Sequence, residues 1–447
     1  MIEALRNAWR LQDVRRKILF TMFIIFIYQL AAHVPVPGVD RAALEQLLQS
    51  SGGGGFIGVL DLLSGGAVSN FSVIANGVYP YITANIIITL LVPIIPKLEE
   101  IVREPGGQDK VTQWTYYLAI PMAALQAVGQ IRIFEQIGGQ PIVPGFGQDF
   151  LPTAAIVITM TAGTMFAIWL GELITEQGIG QGLSIIIFAG IVARVPTNFG
   201  RLLSGLGVAN NIVAFNVLSF IVLTVVTVLA IVVVQEGVRR IPVQYGKRVR
   251  GRKLYGGGST YIPLRVNTAG MIPLIFAQSI IAFPSIIVSF LPAGGVTTFL
   301  QGVFGTNSAF GQQYGVMYWG LYFIMVVGFT YFYTNVMIQN QNLADNLQKQ
   351  GGFIPGIRPG KRTQQFINEV VNRITLVGGV FLGVVAILPG IMQVASGVFI
   401  GSSAATGINP AYVISGSGLI IVVGVVIDTM RQLEAQLMMR NYEGFMR

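Results

Sequence analysis

The sequence predicts an all-α polytopic membrane protein with ten transmembrane helices. Only 11% of its 447 residues are charged and 53% are hydrophobic, whereas a soluble domain carries about 25% charged residues. So few charges cannot cover a surface that faces water, but they suit one that faces lipid. Apolar runs of about 20 residues, the length that crosses a bilayer, recur along the chain. Glycine, which membrane helices tolerate and use for close contacts, is abundant at 55 residues.

The apolar runs divide into two groups of five. The first group predicts spans one to five at residues 18–37, 73–95, 114–131, 153–171 and 183–200. The second predicts spans six to ten at residues 212–234, 268–290, 314–338, 374–391 and 411–427. The hinge loop 204–211 then separates an N-terminal half, 1–203, from a C-terminal half, 212–447. Because each half has an odd number of spans, the halves must have opposite orientations, which predicts an inverted repeat.

The basic residues predict the orientation of the spans. Of the 28 Lys and Arg residues, 24 fall on the side that holds both termini. Cytoplasmic loops carry the excess of Lys and Arg in membrane proteins. We therefore expect both termini and the long loops 235–267 and 339–373 in the cytoplasm. The first apolar run has no small-residue cleavage site after it, so we do not expect a cleaved signal peptide.

One apolar segment is too short to cross the membrane. Residues 56–71 read FIGVLDLLSGGAVSNF and are interrupted by Asp61, Gly65 and Gly66. Segments of this length are usually re-entrant or interfacial. The preceding residues, 51–55, are mostly glycine and form a flexible tether. The residues alone leave open whether this helix folds back into the membrane or lies on its outer surface.

The predicted spans hold no charged residue near their middle, and this separates three classes of function. Ion-coupled transporters place ionisable groups at the bilayer midplane, and intramembrane enzymes need a nucleophile, a base or a metal ligand. The chain has no cysteine. Its only histidine, His33, lies beside Pro35 and Pro37 at a helix end, which favours a structural role. We therefore expect no enzyme, cofactor or metal site, but a pore driven by something outside the membrane.

Long motifs carry a resemblance to a known family. They are VPVPGVD (34–40), DLLSGGAVSNFSV (61–73), NGVYPYITANIIITLL (76–91), GTMFAIWLGELITEQGIGQGLSIIIFAGIV (163–192), RRIPVQYGKRVRGRKLYGGGSTYIPLRVNTAGMIPLIFA (239–277) and ADNLQKQGGFIPGIRPGKRT (344–363). Each is similar to the matching segment of the bacterial SecY family, in the same order and over essentially the whole chain. The resemblance implies the pore of the Sec translocon. Such a pore passes unfolded, signal-bearing chains across the bacterial cytoplasmic membrane and releases hydrophobic segments sideways into lipid.

The resemblance also implies how the pore is closed. Residues 56–71 would be a plug that closes it from outside, centred on Asp61, Leu62, Leu63, Ser64, Gly65 and Gly66. A pore ring of apolar side chains would comprise Val78, Ile82, Ile187, Ile275 and Ile421. Such a ring forms a gasket around a passing chain, and a narrow apolar neck resists wetting. From the residues alone, isoleucines are more commonly core or lipid-facing. Val78 stands where the family commonly has isoleucine.

A lateral gate along spans two, three and seven is a further implication. Its polar residues would be Thr83, Asn85, Gln126 and Asn267, near one another. Uncharged polar groups at such a seam hydrogen-bond when it is closed and separate at small cost, since these bonds average about 0.6 kcal/mol in membranes. The alternative is that they form ordinary hydrogen bonds between packed helices.

The two long inner loops are basic and carry turn-forming glycines and prolines. Loop 235–267 has eight Lys and Arg residues and one acid, Glu236, while loop 339–373 adds five basic residues. Such basic segments are attracted to anionic lipids, and their side chains can also bind RNA phosphates. In the family these loops dock the motor ATPase SecA and the ribosome, and the matching positions are Arg252, Lys253, Arg358, Lys361 and Arg362. The resemblance adds SecE, SecG, signal peptides and nascent chains as partners, with SecDF and YidC as further candidates.

Overall fold

A computed structural model describes most of the chain as helices, with a small amount of sheet. The described residues are 11–40, 44, 67–68, 70–138, 142–143, 146–147, 149–206, 211–245, 248–250, 253–255, 258–288, 294–304, 315–341, 343–400 and 416–445.

Strands interrupt the run of helices twice, first as a group of four and later as a single short strand. In order, the helices before the strands are α1 (Gln12–Ala31), α2 (Tyr79–Leu91), α3 (Pro96–Arg103), α4 (Gly107–Gly138), α5 (Phe150–Gln177), α6 (Gly182–Leu206) and α7 (Asn211–Glu236). Then come β1 (Val238–Tyr245), β2 (Arg248–Arg250), β3 (Lys253–Tyr255) and β4 (Ser259–Arg265). The remainder is α8 (Ile272–Val288), α9 (Gly295–Phe304), α10 (Gly315–Gln341), α11 (Leu343–Lys349), β5 (Gly352–Phe353), α12 (Lys361–Ile400) and α13 (Gly416–Phe445).

Each of the ten predicted spans overlaps a helix: in order α1, α2, α4, α5, α6, α7, α8, α10, α12 and α13. By length and composition, α4, α5, α10 with α11, and α12 are the four described helices that are able to cross a membrane. A fifth span results if α2 and α3, which are bent by 108°, are counted as one. Shorter apolar helices lie within α6, α7 and α8. The count of ten is compatible with this arrangement and stays a prediction.

Span one ends earlier, and span two begins later, than the sequence predicts. Helix α1 ends at Ala31, and the following residues pair with the segment before α2. The Val36 N–H donates to the Phe71 carbonyl at 3.0 Å, and the Val73 N–H donates to the Val34 carbonyl at 2.9 Å. These bonds satisfy backbone groups that a continuing helix would have satisfied internally.

Helix α2 begins at Tyr79 because of two local features. Gly77 has a φ of +54°, a conformation that glycine adopts without a steric penalty and that interrupts a helix. Pro80 stands in the first turn of α2, where its missing N–H costs nothing. An apolar run marks where a chain can enter lipid, but it does not locate these breaks.

The chain packs as two compact units. The first unit comprises residues 1–220, 278–319 and 389–447, and the second comprises 221–277 and 320–388. These packing units do not follow the predicted halves, and the inverted repeat stays a prediction.

In the first unit, a buried apolar cluster surrounds the segment that leads into α2. Phe71 is fully buried, and its ring packs edge-on against that of Phe134 with 5.4 Å between centroids. Helix α5 approaches the same segment so closely that a Cβ on Gly163 would overlap the carbonyl of Val73. The other members of the cluster are Val36, Leu44, Val68, Ala75, Ala127, Ile131, Ile142, Val143, Phe146, Ile156 and Met160.

The second unit contains a three-stranded antiparallel sheet in the order β4–β1–β5. Strand β1 pairs with β4 from Val238 opposite Arg265 to Gln244 opposite Ser259. At its other edge, Gln244 and Tyr245 of β1 pair with the two residues of β5. Strand β5 comes from the second long loop, so this sheet joins the two loops into one structure.

A shared apolar core lies beneath this sheet. It contains Ile241 and Val243 of β1, Leu264 of β4 and Ile354 just after β5, together with four helical residues, namely Ile338, Leu347, Ile367 and Val371. Helices α10 and α12 pack closely at Gly383. A Cβ at this position would lie 2.6 Å from the ring of Phe323, so the missing side chain makes room for that ring. The loops that the sequence marked only as basic and turn-rich are therefore anchored to the helices.

Candidate functional site

The turn between α5 and α6, residues 178–181, holds the start of α6 in place. Thr21 of α1 accepts a hydrogen bond from the Ile179 N–H at 3.2 Å and donates to the Lys17 carbonyl at 2.9 Å. A Cβ on Gly178 would lie 2.6 Å from that same threonine oxygen, so only glycine leaves room for this contact. The turn is therefore fixed to α1 through a buried hydroxyl group.

The tip of this turn is apolar and buried. Ile179 is only 4% exposed and packs with Val14 of α1 and with Met430 and Leu433 of α13. Elements α1, α5, α6 and α13 of the first unit therefore meet at one point. Two predicted ring residues, Ile187 on α6 and Ile421 on α13, lie on helices that this turn holds together.

The structure places the predicted ring residues on four helices. Val78 caps α2 and is 3% exposed, and Ile82, one turn later, is half-buried. Ile187 on α6 and Ile421 on α13 are 3% and 1% exposed. Ile275, on α8, belongs to the second unit and is 7% exposed there. All are apolar and none is fully exposed, and their common ring stays a prediction.

Two of the predicted gate residues are in direct contact. The Gln126 side-chain amide on α4 donates to the Thr83 hydroxyl on α2 at 3.3 Å, and both groups are buried. Thr83 in turn donates to the Tyr79 carbonyl at 3.1 Å. A second bond, from the Asn76 side chain to the Ala123 carbonyl at 3.2 Å, joins the turn just before α2 to α4. Spans two and three are therefore fastened to each other by polar side chains.

The other two predicted gate residues are arranged differently. Asn85 on α2 is half-buried. Asn267 lies in the second unit, at the turn before α8, where its side-chain amide donates to the Gly270 carbonyl at 3.0 Å. Its buried Oδ1 atom has no hydrogen-bond partner among the described residues. Asn267 therefore closes its own turn, and the proximity of the four residues stays a prediction.

The predicted plug centre, Asp61 to Gly66, lies outside the described residues. The residues just after it are described, and they are firmly held. The Ser72 N–H donates to the Ala67 carbonyl at 2.9 Å, and Val68 is 1% exposed within the apolar cluster around Phe71. The segment that follows position 66 is thus anchored to the body of the first unit.

The predicted docking residues fall on the two joined loops. Arg358, Lys361 and Arg362 are exposed, at the turn before α12 and in its first turn. The Thr363 hydroxyl donates to the Arg358 carbonyl at 3.0 Å and stabilises this turn. Lys253 begins β3 in the small β2–β3 hairpin, and Arg252 lies outside the described residues.

The sheet adds basic residues that sequence reasoning did not single out. Arg240 is exposed on the outer face of β1, and its guanidinium lies 4.8 Å from the centre of the Tyr261 ring on β4. Arg239 and Arg265 are exposed as well. The sequence signal that could have found this surface is the alternation of Ile241, Val243 and Tyr245 with polar residues, which is typical of a half-buried strand.

The described residues contain no group of three or more acidic, histidine or cysteine side chains able to hold a metal ion. The arrangement consists of apolar residues on several helices, uncharged polar bonds between spans and a basic surface on the connecting loops. Chemically, it can contact a passing apolar or extended chain and attract an acidic or phosphate-bearing partner.

Comparisons with known proteins agree with this arrangement. A family model described as SecY matches residues 72–430. The protein translocase subunit SecY of Mycobacterium bovis is 41% identical over 463 aligned residues, and that of Streptomyces griseus is 40% identical over 457. Both alignments cover 100% of each chain.

Solved structures share the fold. A structure described as that of a protein conducting channel matches with a TM-score of 0.62 at 18% identity. Sec61 in a canine ribosome–channel complex from the endoplasmic reticulum matches with a TM-score of 0.60 at 18% identity. Each match covers 94% of this chain and 92% of the other.

Proposed function

The chain belongs to the SecY family, and from this premise we propose a passive pore that an external motor drives. The chain is a protein-conducting channel subunit of a translocase and a multi-pass membrane protein. The observation that carries this conclusion is the full-length identity of 41% with a translocase subunit. The proposal adds that unfolded secretory chains cross the bacterial cytoplasmic membrane through it and that hydrophobic segments leave it sideways into lipid.

The absence of charged residues near the middle of the predicted spans supports a passive pore. An ion-coupled machine needs ionisable groups at the midplane to bind the coupling ion. Here the polar groups that join spans two and three are a hydroxyl and an amide, Thr83 and Gln126. Neither group titrates near neutral pH. The energy for translocation would therefore come from SecA, through ATP hydrolysis, or from the ribosome.

The seal would combine the plug, 56–71, with the ring of Val78, Ile82, Ile187, Ile275 and Ile421. Support comes from the burial of the ring side chains and from the anchored segment after the plug. A further solved structure with the same fold, at a TM-score of 0.62 and 18% identity, is described as showing that the plug domain of SecY stabilises the closed state and maintains a membrane seal. A glycine-interrupted stopper followed by a fixed anchor fits a channel that must open and close again.

Single-channel conductance in planar bilayers tests this seal. We expect deletion of 60–66, which keeps the anchored residues from Ala67 onward, to give a folded channel that leaks ions. Ile82→Ser combined with Ile187→Ser should add to the leak, because hydroxyls lower the cost of wetting the neck. A combined variant that is as tight as the parent would mean that neither element forms the barrier.

The lateral gate would open beside spans two, three and seven. Because Gln126 and Thr83 fasten α2 to α4, we infer that these two helices move together when the gate opens. Asn85, half-buried on α2, and Asn267, before α8, would contribute polar groups at the seam. Such weak bonds allow opening at small cost.

The basic loops would dock the external partners. The exposed residues Arg358, Lys361 and Arg362, with Arg252 and Lys253, would contact SecA and the ribosome. The sheet supports this role because it holds both loops in one fixed structure. SecE and SecG would complete the channel, signal peptides and nascent chains would be its cargo, and SecDF, YidC and anionic lipids would be accessory partners.

Reconstitution in vesicles tests the function directly. Purified protein with SecE and SecG should convert a secretory precursor to a protease-protected form only when SecA and ATP are both present. Gradient-driven uptake of a small solute, without any protected precursor, would instead indicate a transporter.

The cysteine-free chain allows a matching test of topology. Cysteines introduced singly at Lys253 and at Thr298 should react with a membrane-impermeant reagent from opposite sides of the membrane. Reaction from the same side would overturn the placement of both termini and the long loops in the cytoplasm.

A further inference from the structure

Helix α3 leaves the end of span two at a steep angle. The axis of the segment Pro96–Val102 is turned by 108° from that of α2. Helix α2 has 13 residues, which rise about 20 Å, and the buried turns before it supply the rest of the predicted span. A helix turned by 108° from a membrane-crossing helix runs roughly along the membrane plane. The bend between them therefore belongs at the level of the lipid headgroups.

The N–H groups at this bend are hydrogen-bonded within the chain. The Val92 N–H donates to the Ile88 carbonyl at 3.0 Å, and the N–H groups of Ile94 and Ile95 both donate to the Leu91 carbonyl, at 3.1 and 2.9 Å. Pro93 has no N–H to satisfy. An unsatisfied backbone group is costly at the apolar edge of a bilayer, and the bonded N–H groups of Val92, Ile94 and Ile95 avoid that cost.

The side chains at the bend form one apolar face. Ile94, Ile95, Leu98, Ile101 and Val102 are spaced as one stripe of an amphipathic helix. Ile94 is 71% exposed and Ile95 is 38% exposed. The polar residues of the helix, including Glu99 and Glu100, fall between these positions. Two adjacent exposed isoleucines next to acidic residues indicate a boundary between lipid and water.

We propose that residues Ile94 to Val102 form an in-plane membrane anchor, with the two isoleucines inserted into the acyl boundary of the bilayer. The occupant of this apolar face is the lipid surface. A helix with a charged face and an apolar face binds at this depth. The anchor fixes the depth of the end of α2, the helix that carries Val78, Ile82 and Thr83. The inference rests on the proposed topology in two respects: α2 crosses the membrane, and the leaflet would be the cytoplasmic one.

Lipid is favoured over water and over a protein partner by features of the segment itself. If this segment faced water, water could bond its N–H groups, and the exposed isoleucines would be unfavourable there. A docked protein would leave the near-perpendicular turn after a membrane span unexplained. The bilayer accounts for the angle, the bonded N–H groups and the apolar face together.

A pair of single-cysteine variants tests the anchor in vesicles that contain the full channel. Ile94→Cys and the matched control Glu100→Cys both lie at exposed positions on the same short segment. Each is labelled with an environment-sensitive fluorophore, and quenching by brominated lipids is compared with quenching by aqueous iodide. Ile95→Cys serves as a second reporter if the first variant labels poorly. The same vesicles are assayed for precursor translocation.

We expect the label at position 94 to emit at shorter wavelength and to be quenched by brominated lipid. The label at position 100 should be quenched mainly by iodide. Equal iodide quenching at both positions would overturn the anchor, and so would a label at 94 that is shielded from iodide and from brominated lipid alike, since a protein would then cover it. If such vesicles still translocated precursor, the anchor alone would fail and the proposed function would stand.

Discussion

Two connections between spans differ sharply in how their residues are used. The turn between α5 and α6 is short and has no basic residue, and its tip, Ile179, is buried among α1 and α13. The connection between α7 and α8 is long and basic, and it folds into strands whose outer face is exposed. The proposed topology puts both on the cytoplasmic side. The short turn holds helices in position, whereas the long connection leaves its charges available to partners.

The first prediction attacks the buried turn and has the largest expected effect. Ile179→Asp places a carboxylate where no cation lies among the packed residues Val14, Met430 and Leu433. An uncompensated buried charge costs at least about 3 kcal/mol. We expect loss of monodisperse protein in size-exclusion chromatography after extraction in detergent.

Gln181→Asp is the matched control, because this residue is exposed in the same turn. It should be recovered at the level of the parent. Equal recovery of Ile179→Asp and Gln181→Asp would show that the turn does not depend on its buried tip.

The second prediction concerns this connection and the second long loop, 339–373, which the sheet joins to it. Arg358→Glu, and separately Arg252→Glu with Lys253→Glu, should strongly reduce SecA-dependent translocation while leaving thermal stability unchanged. Reversing an exposed charge removes an attraction to the partner without disturbing the core. Translocation in vesicles and binding of SecA and ribosomes at two salt concentrations measure the effect.

Exchanging Arg358 for lysine keeps the charge and should retain most activity. If the glutamate variants bound SecA and ribosomes normally and translocated at the parental rate, the loops 235–267 and 339–373 would have no docking role.

The third prediction sharpens the account of the buried turn. Thr21→Val keeps the shape of the side chain but removes the acceptor for the Ile179 N–H. A buried donor left without a partner costs about 1–3 kcal/mol. We expect the midpoint of thermal unfolding in detergent to fall. The loss of stability should be smaller than that caused by Ile179→Asp. Thr21→Ser, which keeps the hydroxyl, should restore most of the loss, and equal midpoints for valine and serine would contradict the role of this bond.

The fourth prediction concerns the bond between spans two and three and has the smallest expected effect. Thr83→Val removes the acceptor of the Gln126 amide. Such bonds average about 0.6 kcal/mol in membranes, so stability should change little. If α2 and α4 move together during gating, the variant should still change the lateral release of a marginally hydrophobic test segment. Insertion of a graded series of such segments measures this, and an unchanged threshold would remove the bond from the gate.

The sequence predicted the positions of the helices better than the structure of the connections between them. All ten apolar runs overlap helices, because burial in lipid requires a continuous apolar stretch that the composition reveals. The ends at Ala31 and Tyr79 were missed, because they depend on backbone pairing between Val34–Val36 and Phe71–Val73. The strands were also missed. Loop 235–267 was interpreted from its charged and turn-forming residues. The alternation of Ile241 and Val243 with exposed neighbours is nevertheless typical of a half-buried strand.

By itself, the sequence determined that this is a polytopic helical membrane protein, and its motifs identified the channel family. Both conclusions depend on properties summed over many residues, such as apolar length, scarcity of charge and long motifs. Only the tertiary structure decided which side chains meet. It joined Gln126 to Thr83, left Asn267 bonded within its own turn, and brought two distant loops into one sheet through β5. A hydrogen bond requires two atoms at about 3 Å, and one-dimensional patterns do not determine distances between residues far apart in the chain.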